Sequence, residues 1–322
     1  MEKQNLEKRR DPVIEKILAL HFTRTNYLLA PHTYYNIGGP AEIAMLPESE
    51  ADLIQAYQLF SLLDYPKLLI GGGTNLLISD RGFHGVVLFL PRLNDVSLMD
   101  KDTYYVFAGT ELSWLVENIL LPNNYEGVGA LTGIPGTVGG ALYMNAGTAN
   151  GSICEFVKYV LLLTPGMKKV VSLDPSLYSY RSQEFCKLNE LIAGAIFKFE
   201  RSKEDQRAIY EHYTQRRREK QPQGYCCGSV FKNPPGYHAG KLIEECGLKG
   251  KRCGGAVISK KHANFIMNEG NATFKDVLCL IKLAKSEVYK RFNIELEEEV
   301  LIIFEDGCIR KCEHLDEETY EV

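Results

Sequence analysis

The apolar and polar positions of the chain fall into short stretches, each with its own period. Near the N-terminus Val13, Ile14, Ile17, Leu18 and His21 recur at helical spacing in a segment interrupted by charges, which predicts a short amphipathic helix. Residues 51–62 carry a helical period. Residues 67–70 are an apolar run ending in Gly71-Gly72-Gly73, and 85–90 are another strand-like run. Strand, helix and strand, with a glycine turn after a strand, predict an α+β or α/β block. A second block holds a strand over 104–108, a helix near 112–120, a glycine-rich passage over 127–151, and strands over 157–164 and 191–199. A charged helix over 202–218 follows and stops at the Gln221-Pro222-Gln223-Gly224 break. In the third block Val277, Leu280, Ile281, Ala284 and Val288 recur at helical spacing over 273–292, with Thr273 placed to cap the helix. A strand-like run over 300–304 closes that block. The expected divisions are a lead-in at 1–32, blocks at 33–90 and 91–201, a linker helix at 202–227, a third block at 228–305 and a polar tail at 306–322.

Composition narrows the function without naming it. Of 322 residues, 45% are hydrophobic and 24% charged, an ordinary globular balance for two or three domains. A net charge of −4 argues against a nucleic-acid surface as the main function. Nine cysteines show no Cys-x-x-Cys and no Cys/His cluster at metal-ligand spacing. They predict free thiols in a reducing compartment and no metal, with the adjacent Cys226 and Cys227 as structural residues. The N-terminal charges leave no apolar signal core, and no run approaches the roughly 20 apolar residues that span a bilayer. A cytoplasmic protein without a membrane partner is expected.

Two glycine loops suggest anion binding. One is Ile70-Gly71-Gly72-Gly73-Thr74-Asn75-Leu76-Leu77, the other Gly133-Ile134-Pro135-Gly136-Thr137-Val138-Gly139-Gly140. Glycines let backbone N–H groups approach an anion closely, and Thr74, Asn75 and Thr137 add side-chain donors. Leu76 stands where a dinucleotide fingerprint needs its third glycine, and no Walker lysine follows either loop. Tight turns without a ligand would read the same way singly. Two such loops suit a dinucleotide with a pyrophosphate.

Taken in order, the motifs resemble one family. They are the Gly71–Gly73 loop with Thr74-Asn75, the Gly133–Gly140 loop, Met144-Asn145-Ala146-Gly147, Tyr180-Arg181, Gly228-Ser229-Val230-Phe231-Lys232-Asn233-Pro234, His262-Ala263-Asn264-Phe265 and Leu296-Glu297-Glu298-Glu299-Val300. The chain is similar to the bacterial UDP-N-acetylenolpyruvoylglucosamine reductases of peptidoglycan synthesis, in the shorter form that lacks an extra loop between the arginine and serine motifs. The resemblance implies an α+β protein. Two small α+β subdomains, 33–90 and 91–201, would hold FAD non-covalently in the manner of the vanillyl-alcohol-oxidase type fold, and an α+β domain at 228–305 would bind substrate. It implies NADPH as hydride donor, UDP-N-acetylglucosamine enolpyruvate as substrate, and a monomer. Cofactor contacts are implied for Gly71, Gly72, Gly73, Thr74, Asn75, Leu76, Gly133, Ile134, Pro135, Gly136, Thr137, Gly139, Gly140, Asn145, Ala146 and Gly147. Three departures stand out: Asn36 where the family carries a basic residue, Gln183 two places after Arg181, and Tyr225-Cys226-Cys227 before Gly228.

The chemistry implied has three parts. Arg181 suits the substrate carboxylate, because a guanidinium keeps its charge and binds in a fork. Ser229 suits the proton donor, with Lys232 and Asn233 near in sequence to assist it. No Gly-x-Ser-x-Gly elbow surrounds Ser229, which argues against a hydrolase. In the acidic run Glu295–Glu299 the family position selects Glu299, and strand alternation would set Glu297 and Glu299 on one side. Arg216-Arg217-Arg218 either suits a helix C-terminus or meets nucleotide phosphates, with Arg218 the candidate contact beside Tyr180, Lys232 and Asn233. His262 and Asn264 read as structural hydrogen-bonders. A flavin oxidase and a non-catalytic nucleotide-binding module are the other readings.

Overall fold

A computed structural model describes residues 11–187 and 189–307. The lead-in before residue 11 and most of the polar tail lie outside the described residues. The described chain divides into two units. One holds the residues up to Thr25 with Ile43–Gly72 and Val86–Arg217; the other holds Asn26–Glu42, Gly73–Gly85 and the residues from Arg218 on.

In the first unit, helix Pro12–Leu18 begins at Asp11, whose side chain accepts a hydrogen bond from the Val13 N–H at 2.7 Å. It buries Ile14 and Ile17, as the spacing predicts. Helix Glu50–Leu62 is capped by Ser49 and buries Leu53, Ala56, Tyr57 and Phe60. They join Ile43, Met45, Val86 and Leu88 in one core cluster. Strand Lys67–Ile70 pairs in parallel with Val86 to Phe89. Its C-terminal end delivers the chain to Gly71.

A five-stranded antiparallel sheet forms the rest of this unit, in the order Met167–Ser172, Val157–Thr164, Leu191–Lys198, Thr103–Phe107, Val96–Asp100. Val106, Val160, Leu162, Ala195 and Phe197 point from it into a second core with Leu112, Leu115, Val138 and Leu142. The glycine-rich passage is not an open loop. It contains helices Val128–Leu131 and Val138–Tyr143. The charged helix runs over Gln206–Lys220, shifted C-terminally from the expected span, and carries all three arginines within its last turns.

The second unit pairs Leu76–Ile78 in parallel with Leu301–Ile303. A three-stranded antiparallel sheet, Arg252–Cys253, Ala256–Ile258 and Ile266–Asn268, packs with helices Ala239–Glu245 and Phe274–Phe292. Thr273 and Asp276 form a reciprocal capping box at the start of the long helix. That helix buries the five residues that revealed it. It stops at Asn293, whose φ of 54° is the left-handed conformation asparagine tolerates. The acidic run before Val300 is no strand. A single bridge pairs Phe231 with Glu298, and regular pairing starts only at Leu301. No described helix is long and apolar enough to cross a membrane.

Candidate active site

The turn after Lys67–Ile70 meets the second glycine loop backbone to backbone. A Cβ on Gly72 would lie 2.6 Å from Gly136 Cα, and one on Gly71 would lie 2.7 Å from Thr137 Oγ1. Side chains at either place would push the loops apart. Thr137 caps helix Val138–Tyr143, accepting from the Gly140 N–H at 3.3 Å. Gly139 serves packing: a Cβ there would meet Ala108 Cβ at 2.8 Å. Ile134 is half-buried against the second core, while Pro135 is exposed.

Asn145 follows that helix in the left-handed conformation, φ 40°. It is 3% exposed. Its side-chain N–H donates to the Ser179 carbonyl at 2.7 Å, while its side-chain oxygen is buried with no hydrogen-bond partner among the described residues. A buried acceptor left unpaired costs about 1–3 kcal/mol, so the position calls for a ligand N–H. The imide N–H of a flavin ring is of that kind. Close glycine backbones and this orphaned acceptor fit a flavin nucleotide.

Arg181 sits above the same passage. Its Nη2 donates to the Gly147 carbonyl at 2.8 Å and its Nη1 to the Asn145 carbonyl at 3.4 Å. The guanidinium also lies over the Tyr180 ring, 5.0 Å from its centroid. A residue the sequence reading missed joins it. Arg217 Nη1 donates to the Gly133 carbonyl at 2.8 Å. Its guanidinium is held below the usual arginine value, first by burial and then by the charge of Arg181. Arg218 is exposed, and its carbonyl accepts from Lys261 Nζ. Helical register carries the signal: Ile209, Tyr213 and Arg217 recur every four residues on one face, and Arg218 lies about 100° away from it.

The second unit organises the serine and glutamate. Gly73, at φ +66°, passes so close to the His32 carbonyl that a Cβ would lie 1.9 Å from its oxygen. Thr74 is half-buried, and Leu76 is a buried strand residue. The Asn75 side chain donates to the Glu299 carbonyl at 2.9 Å, and the Leu301 N–H donates to the Asn75 carbonyl at 3.0 Å. Ser229 is half-buried between Gly228, at φ +81°, and buried Val230. The Val230 carbonyl accepts from the Glu299 N–H at 2.8 Å, which sets the serine and glutamate segments side by side. Asn264 clamps the serine segment. Its Oδ1 accepts from the Phe231 N–H at 3.0 Å, its Nδ2 donates to the Phe231 carbonyl at 2.8 Å, and its own carbonyl accepts from the Val230 N–H at 2.9 Å.

Neighbouring groups are engaged in ways that separate their roles. Glu298 is buried and paired with Lys285 at 3.0 Å, while Glu297 is exposed and paired with Lys232 at 3.1 Å. The Asn233 side chain accepts from the Ala239 N–H at 3.0 Å, at the start of helix Ala239–Glu245. Burial holds His262 below its ordinary value, and its Nδ1 accepts from the Asn264 N–H at 3.2 Å. His262 and Asn264 are therefore structural, as the sequence suggests. Cys227 is buried too, its thiol pushed up to about 12 chiefly by burial, so it stays protonated at neutral pH.

The family model of the UDP-N-acetylenolpyruvoylglucosamine reductase C-terminal domain matches residues 220–303, and that of an FAD binding domain matches 41–174. A UDP-N-acetylenolpyruvoylglucosamine reductase from Clostridium tetani is 39% identical over 288 residues, covering 88% of this chain and 92% of its own. One from a Thermotoga species is 40% identical over 277 residues, covering 85% and 91%. The chain belongs to the UDP-N-acetylenolpyruvoylglucosamine reductase family. A crystal structure of the Thermus caldophilus reductase superposes with a TM-score of 0.74 at 33% identity, covering 87% of this chain and 99% of that one. Membership gives the chain its class, an FAD-dependent oxidoreductase, and its fold, an FAD-binding α+β architecture followed by the family's C-terminal domain. The loops built by Gly71, Gly72, Gly133 and Gly136 lie within or beside the span of the FAD-binding model, and Ser229 and Glu299 within the span of the C-terminal one.

Proposed function

We propose that the protein reduces UDP-N-acetylglucosamine enolpyruvate to UDP-N-acetylmuramate with NADPH, in the cytoplasm and as a monomer. The observation that carries this reading is the pairing of the Ser229 and Glu299 segments through Val230, with Asn75 and Asn264 fixing both backbones. An oxidase acting on a small alcohol has no use for a proton donor and a glutamate set together in this way.

When bound, FAD relays a hydride from NADPH to the terminal carbon of the enolpyruvyl group. The remaining work falls to the chain. Arg181 binds the substrate carboxylate, on which negative charge grows as the neighbouring carbon becomes an enolate. The carbonyls of Gly147 and Asn145 and the Tyr180 ring hold its guanidinium in one orientation. Ser229 gives its hydroxyl proton to that carbon, so one hydride and one proton saturate the double bond. Lys232 and Asn233 follow in the same segment, where a cation and an amide help the serine lose its proton. Glu299 contacts the enolate or steadies the arginine. Tyr180 and Arg218 line the route of the nucleotide.

Ser229→Ala separates the two half-reactions. NADPH is expected to bleach the flavin of the variant at the wild-type rate. Reoxidation by the enolpyruvyl nucleotide is expected to slow by roughly 10²–10⁴-fold, the usual worth of a general acid. Stopped-flow absorbance at the flavin band measures both, and an unchanged second step would remove Ser229 from the reaction.

A further inference from the structure

Helix Gln206–Lys220 meets the glycine passage through one face. A Cβ on Gly129 would lie 3.1 Å from the Tyr213 ring and 3.4 Å from Ile209 Cγ2. A Cβ on Gly133 would lie 2.5 Å from Arg217 Cδ and 2.9 Å from its Nε. Gly133 has φ +72°, so the position favours glycine twice over, once for conformation and once for space. The missing side chain lets Arg217 lie flat on the loop and reach the Gly133 carbonyl.

The anchors of Arg181 and Arg217 adjoin. Arg181 is held at Asn145 and Gly147. Thr148, next in the chain, donates from its hydroxyl to the Gly129 carbonyl at 3.0 Å, which ties that segment to the short helix leading into Gly133. Each guanidinium is thus fixed by backbone carbonyls on neighbouring parts of one passage. Their repulsion, together with partial burial, lowers the hold of Arg217 on its proton. Two like charges held this close destabilise the site until an anion enters between them. The arrangement suits a ligand whose negative charge increases during reaction, because fixed cations stabilise developing charge without reorganising.

We propose that Arg217 is the second cation of an anion site headed by Arg181, and that the site serves the carboxylate end of the substrate as it becomes a dianionic enolate. This rests on the function proposed above. It assigns to Arg217 a part in the second half-reaction, and none in holding FAD or in reacting with NADPH.

The test uses the full-length holoenzyme with Arg217→Gln and Arg217→Lys. Four quantities are read: flavin content, the rate of bleaching by NADPH, the Kd of the enolpyruvyl nucleotide from its perturbation of the oxidised flavin spectrum, and the rate of reoxidation by it. For Arg217→Gln, flavin content and bleaching are expected to match wild type. The Kd is expected to rise and reoxidation to slow by roughly 10- to 100-fold, the loss of one charge-assisted partner. Arg217→Lys, which keeps the charge, is expected to recover most of that loss, and added salt should weaken substrate binding less in the glutamine variant than in wild type. Wild-type binding and reoxidation in Arg217→Gln would overturn the assignment. So would loss of flavin, which would give the residue to the cofactor loop, or a lysine variant no better than the glutamine one. If the nucleotide fails to reoxidise wild type, the functional reading falls and takes this assignment with it. Wild-type turnover with an indifferent Arg217→Gln sinks the assignment alone.

Discussion

Asn264 shows how much of the site is set by residues that do no chemistry. It is 4% exposed, and its side chain spends both its donor and its acceptor on the backbone of Phe231, two residues beyond Ser229. Neighbouring carbonyl and N–H groups of Val230 complete the clamp toward Glu299. Removing the amide leaves two buried backbone groups unpaired, each costing about 1–3 kcal/mol. Asn264→Ala is therefore expected to lower stability by about 2–4 kcal/mol in denaturant titration. It should also slow flavin reoxidation while leaving bleaching by NADPH intact. A variant as stable as wild type, with both half-reactions unchanged, would show that the clamp positions nothing. Asn145 is the complementary case, a buried residue with one atom satisfied and one waiting for a ligand.

At the scale of elements, the two glycine turns act as a single piece of structure. Gly72 and Gly136 touch so closely that a methyl group at position 72 must move one of them. Gly72→Ala is expected to reduce flavin content strongly, read as the ratio of flavin to protein absorbance after purification, and full occupancy would contradict this account. Local pattern alone reveals only some of these elements. Helix Phe274–Phe292 is long, has five apolar residues in register and begins at a capping threonine, so its period and its start are both visible. Strand Lys67–Ile70 is bounded by the glycines that follow it. Helices Val128–Leu131 and Val138–Tyr143 are hidden because they are short, and glycine within them disfavours helix. Packing holds them instead, as Gly139 against Ala108 illustrates. The acidic stretch before Val300 looks like strand by alternation, yet its pairing is a single bridge and its glutamates take three different environments. Arg217 was hidden for a related reason. Three adjacent arginines look equivalent in sequence, and only the register of helix Gln206–Lys220 against Gly129 and Gly133 selects one of them.

At the scale of the molecule, a net charge of −4 coexists with a local pair of guanidiniums on the glycine passage. Local arrangement, rather than overall charge, decides which anion is welcome. Each unit has its own core, and the residues assigned to the reaction are shared between them, Arg181 in the first and Ser229 and Glu299 in the second. The central claim is that these groups serve one reduction of an enolpyruvyl ether. The most direct measurement is an anaerobic cycle on the purified holoprotein, with the flavin spectrum followed through addition of NADPH and then of UDP-N-acetylglucosamine enolpyruvate. The expected result is bleaching by the first, full return of colour with the second, and one equivalent of UDP-N-acetylmuramate by mass. A flavin that bleaches but recovers only when oxygen is admitted would contradict the account.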